Sequence, residues 1–119
     1  MPRILVVEDE TLLALDLRTT FEGVNLEVAV ASTVECALQQ LLLDDFSGAV
    51  LDACLHGTWA APVAAELERR GVPYIVYSGS NQENIAEWAH PVQFLQKPAP
   101  HSALVAAVHN VLAQPRITD

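Results

Sequence analysis

Short apolar runs alternate with longer stretches of helical period along the whole chain, and this alternation limits the fold more than any other feature. The runs fall at 4–7, 26–30, 49–51, 74–77 and 92–95, and several are nearly unbroken Val, Ile or Leu. Unbroken rather than alternating apolar character suits strands buried on both faces of a parallel sheet. The stretches between and after them, at 10–22, 33–44, 60–70, 81–89 and 100–113, are long enough for helices. Local punctuation supports these limits. Gly23 and Gly71 follow the first and third stretches, Thr33 can cap the second, and Pro62 and Pro100 suit first turns, where a missing N–H costs nothing. Strand followed by helix, five times over, predicts an α/β sandwich: a five-stranded parallel sheet joined by right-handed helical crossovers.

A chain of 119 residues is expected to make one domain, spanning 1–119, with no separate output domain. Area scaling buries about two-thirds of the unfolded surface at this size, enough for a core without disulfides or a structural metal. The apolar fraction of 51% against 18% charged residues argues against disorder. Fifteen acids against six bases leave a net charge of −9, the wrong sign for a phosphate backbone or an anionic bilayer. No direct nucleic acid and no membrane is therefore expected among the partners. Cys36 and Cys54 form neither a CxxC pair nor a zinc pattern, and the first apolar run is too short for a signal peptide core. The expectation is a cytoplasmic protein with reduced thiols.

The informative polar residues sit where strands stop. The first run ends at Glu8-Asp9-Glu10, the third at Asp52, the fourth at Ser78-Gly79 and the fifth at Gln96-Lys97-Pro98. In a parallel sheet these are all carboxyl ends, so they share the edge where open α/β folds place their ligands. Glu8, Asp9 and Asp52 there are crowded carboxylates, which repel unless a cation compensates them. A hard divalent ion with oxygen ligands fits, and Mg2+ fits best if phosphate is also handled. Lys97, the single lysine of the chain, adds a mobile positive charge, and Ser78 adds a hydroxyl. Together these describe phosphoryl transfer with an aspartate as acceptor.

The set Val6-Val7-Glu8-Asp9-Glu10, Val50-Leu51-Asp52, Val76-Tyr77-Ser78-Gly79 and Phe94-Leu95-Gln96-Lys97-Pro98 resembles the receiver domain of the two-component response-regulator family, of the single-domain type. The resemblance covers essentially the whole chain. It implies the flavodoxin-like strand order 2-1-3-4-5, an order for which a member of this family is a standard example. It implies that Asp52 is the phospho-acceptor and that Asp9 holds Mg2+, with Glu8 helping directly or through water and the Cys54 backbone carbonyl adding a ligand. Ser78 and Lys97 would each meet a phosphoryl oxygen. The Lys97–Pro98 bond would be cis, and Ser78 with Phe94 would form a switch. The chain departs from the family at Glu8, where aspartate is commoner, at Phe94, where tyrosine is more frequent, at His56, where many members have proline, and at Ser80, where a larger residue is often found.

The implied function is a phospho-accepting regulator in a phosphorelay, catalysing at most its own phosphorylation and dephosphorylation. Its phosphoryl donor would be a histidine kinase or a histidine phosphotransfer protein. Its output would go to a further, unnamed protein through the fourth helix, fifth strand and fifth helix, and it would be a monomer or a weak homodimer. One rival is a phosphorylation-independent interaction module on the same fold. Another is a phosphatase or phosphotransferase, which would need a substrate pocket and a general acid. Leu13, Leu17 and Phe21 make the inward stripe of the first helix, with Thr20 beside them, which leaves Leu12 and Leu15 as surplus apolar surface. Scattered exposed leucine is normal. These two, with Trp88 and Phe94, are the candidate partner surface. His56, His90, His101 and His109 show no metal-ligand spacing, and nothing marks Cys54 as a thiolate nucleophile.

Overall fold

The computed structural model describes residues 1–115. It places β1 (Arg3–Val7), α1 (Thr11–Glu22), β2 (Glu27–Ala31), α2 (Val34–Leu43) and β3 (Gly48–Leu51) in succession. A short hairpin follows, β4 (Cys54–Leu55) and β5 (Thr58–Trp59), then α3 (Ala61–Arg69), β6 (Tyr74–Ser78), α4 (Gln82–Ile85), β7 (Gln93–Gln96) and α5 (His101–Leu112). The five long strands form one parallel sheet in the order β2-β1-β3-β6-β7. With the hairpin strands left out of the count, that is the flavodoxin-like order expected above.

Two cores sandwich the sheet because successive side chains of a strand point to opposite faces. Leu5, Val7, Ala49 and Leu51 pack under α2 and α3. Ile4, Val6, Val50 and Ile75 pack under α1 and α5, against Leu17, Phe21, Leu104 and Val108. Gly48 lies against α5, where the Val111 side chain leaves no room for a Cβ. Thr33 caps α2 by accepting the Cys36 N–H at 3.0 Å, and Gly71 ends α3 with φ of 68°. Among the described residues, no helix is long and apolar enough to cross a membrane.

Two elements differ from the sequence expectation. The stretch after Asp52, where no element was expected between the third run and the third helix, holds a hairpin. The fourth helix, expected over 81–89, is regular only over Gln82–Ile85. Beyond it the Trp88 N–H bonds the Ile85 carbonyl in a tightened turn. The His90 N–H is drawn off to the Tyr74 hydroxyl at 2.9 Å and Glu68 Oε2 at 3.0 Å, and Pro91 follows.

Candidate functional site

Strand register brings the polar strand ends together. Val7 pairs with Leu51, and the Asp52 N–H continues that ladder to the Val7 carbonyl at 2.9 Å, which sets Asp52 beside Glu8. Leu51 pairs with Val76, so Asp52 and Ser78 emerge at the same edge. Ser78 pairs with Gln96, and the Lys97 N–H bonds the Ser78 carbonyl at 3.0 Å. The Lys97–Pro98 peptide is cis.

The side chains meet as that register requires. Lys97 Nζ donates to Glu8 Oε1 at 2.8 Å and to Asp52 Oδ2 at 3.0 Å. Its ammonium also stands 5.7 Å from the centre of the Tyr77 ring, whose hydroxyl accepts the Ala99 N–H. Tyr77 thus supports the lysine from below, a role that its place in an apolar run concealed. Carboxylate oxygens of Glu8, Asp9 and Asp52 lie within 4.8 Å of one another. All are hard oxygen donors, and two are already compensated by a single ammonium. This donor set fits a small divalent cation such as Mg2+.

The three acids differ in setting. Burial pushes Glu8 up to about 7, against the hydrogen bonds from Lys97 and the Glu10 N–H that favour its ionised form. Asp9 is held below the usual carboxylate range, chiefly by the backbone N–H of His56, which donates to Oδ2 at 2.9 Å. Burial pulls the Lys97 ammonium down, but its bonds to Glu8 and Asp52 outweigh that and leave its pKa raised. Asp52 is 7% exposed, so it keeps a narrow path to solvent.

Ser78 reaches this edge without joining the cluster: its Oγ accepts the Ser80 N–H at 3.2 Å. A cavity of about 130 Å³ lies beside it, lined by Ser78, Ile85 and Phe94 among others. Phe94 is half-buried against the core under α2 and α3, as is Trp88. Leu12 and Leu15 project from α1, which packs on the other face of the sheet, and are 77% and 54% exposed. The four candidate partner residues therefore do not form one surface. Cys54 pairs with Trp59 in the hairpin. The flanking pair, Ala53 and Ala60, exchanges a ladder bond of 2.8 Å, so Cys54 occupies the alternate position and the ladder does not use its carbonyl. Its N–H turns to Asp52 Oδ1 at 3.3 Å.

The hairpin is the element that sequence reading missed. The signal was His56-Gly57 between Cys54-Leu55 and the strand-favouring pair Thr58-Trp59, because histidine tolerates positive φ better than most residues and glycine adopts it freely.

Comparison with known proteins agrees with this geometry. The family described as response regulator receiver domain matches residues 4–109. No curated protein matches the chain. Among solved structures, a CheY-like receiver domain protein from Methanospirillum hungatei JF-1 superposes with a TM-score of 0.87 at 21% identity, covering 94% of each chain. A response regulator receiver protein from Sinorhizobium medicae WSM419 gives 0.85 at 25% identity, over 93% of this chain and 94% of that one. The response regulator TrrA from Thermotoga maritima, solved in complex with Mg2+-BeF, gives 0.83 at 23% identity, over 94% of this chain and 100% of its own.

Proposed function

The chain belongs to the response regulator receiver domain family, and on that footing we propose that it is a phospho-accepting signalling switch with Asp52 as acceptor. The observation that carries this reading is Lys97 Nζ bridging Asp52 and Glu8 at 3.0 and 2.8 Å, with Asp9 beside them. An Asp52 carboxylate oxygen attacks phosphorus of a phosphohistidine on a partner kinase or phosphotransfer protein. The P–N bond breaks and its electron pair stays on the imidazole nitrogen. Asp52 becomes an aspartyl phosphate, and attack by water later returns it to the carboxylate.

Glu8, Asp9, Asp52 and the Cys54 carbonyl would hold Mg2+, which supplies charge neutralisation for the transferring group. Lys97 exchanges its bond to Asp52 for a phosphoryl oxygen. Ser78 turns its hydroxyl from the Ser80 N–H toward another, and Phe94 repacks into the space beside it. That is a population shift in the surface of α4, β7 and α5, read by a downstream protein in the cytoplasm. Retention of acids, lysine and hydroxyl together argues against an interaction module that ignores phosphorylation.

The test mixes the protein with Mg2+ and a small-molecule phosphodonor and follows intact mass. One alkali-labile phosphoryl group is expected on the wild type and none on Asp52→Asn. A folded wild type of unchanged mass would overturn the proposal.

A further inference from the structure

The hairpin β4–β5 turns at His56 and Gly57, which have φ of 50° and 79°. Positive φ at both central residues of a two-residue turn is the type I′ signature, whose twist matches the flanking strands. In such a turn the N–H of the first central residue takes no part in the ladder, so it is free to serve another group. Here it reaches a residue 47 positions away and donates to Asp9 Oδ2 at 2.9 Å. The imidazole is not what makes this contact: it is largely exposed, with Nδ1 4.0 Å from the same oxygen.

The hairpin is also fixed at its base and flank. Ala60 N–H bonds the Ala53 carbonyl at 2.8 Å, and the Trp59 ring meets Trp88 at 6.0 Å with a 56° tilt. The His56 N–H therefore belongs to a braced element and not to a loop that drifts.

We propose that His56 is a positioning residue for the cation site and that it acts through its main-chain N–H. The proposal rests on reading Glu8, Asp9 and Asp52 as that site. A carboxylate tied by one hydrogen bond keeps lone pairs for an ion while losing rotational freedom. Outer partners of this kind typically change metal affinity 10- to 100-fold. Gly57 shares the task, because its φ makes any side chain strained although nothing lies within 4 Å of a Cβ there.

The test removes the N–H alone. A synthetic 54–119 segment carrying an ester in place of the 55–56 amide is ligated at Cys54 to give the full-length chain. Mg2+ binding to this protein, to the wild type and to His56→Ala is then measured by calorimetry. Melts without metal establish that each form is folded. The ester form should bind Mg2+ about tenfold more weakly, while His56→Ala, which keeps the N–H, should bind like the wild type. Equal affinity for ester and wild type would overturn the positioning role and leave the cation-site reading standing. An equal loss in His56→Ala would overturn the main-chain assignment. A wild type that takes up no Mg2+ would overturn the cation-site reading and the positioning role with it.

Discussion

The centre of the sheet and its β7 flank are built to different standards. In β1, Ile4, Leu5 and Val6 are 0% exposed, and every residue of β3 is buried. No residue of β7 is fully buried, its covering helix α4 spans four residues, and a cavity of about 130 Å³ is lined by both Ser78 and Phe94. The acids stand on the tight part and Phe94 on the loose part, while Ser78, buried at the end of β6, sits where the two meet. A site that must hold charges at fixed spacing gains from close packing. A surface that must change shape gains from low local stability.

Core truncation gives the largest contrast. Ile75→Ala, in the fully buried centre, should cost about 2–5 kcal/mol. Leu95→Ala, on β7, should cost less than half of that, and denaturant unfolding of both variants checks it. Equal costs would erase the distinction between the regions.

Lys97→Ala comes next. It strands Glu8 and Asp52 without their ammonium, and metal-free stability should fall by about 1–3 kcal/mol. Mg2+ should raise the melting temperature of this variant more than that of the wild type, because the ion supplies the missing charge. An unchanged melt would mean that the bridge holds nothing together.

The pH dependence of the metal-free protein is smaller. Glu8 titrates near 7 when folded against an ordinary 4.5, because burial disfavours its charge. A raised carboxyl favours the folded state while protonated. Its contribution is full below about 4.5 and is lost as pH climbs through 7. Glu8→Gln should remove a slope on the order of 1 kcal/mol across that window. At the surface, Glu66 is held down at about 2 by hydrogen bonds from Arg69 and Arg70. Glu66→Gln should still change stability at neutral pH by only about 0.5 kcal/mol, since exposed pairs contribute little.

The contrast between regions also explains what the sequence revealed. The centre was legible because both-face burial writes itself as unbroken apolar runs such as Ile4-Leu5-Val6-Val7, and the strand ends then fell at one edge by topology. Glu8, Asp9, Asp52 and Lys97 converge as their strand ends required. The flank was less legible. The stretch 81–89 has helical composition, but His90 surrenders its N–H to Tyr74 and Glu68, contacts made by residues far away in sequence. The Tyr77 support for Lys97 and the His56 bond to Asp9 were hidden for the same reason: each joins residues that are distant in sequence.

On the proposed function, a phosphoryl group on the rigid centre is felt in the loose flank. Hydrogen exchange, followed by mass spectrometry with Mg2+ alone and with Mg2+ plus a phosphodonor, tests it most directly. Altered protection is expected across residues 78–96, with little change in β1 and β3 and no response in Asp52→Asn. Full phosphorylation with unaltered exchange at 78–96 would contradict it.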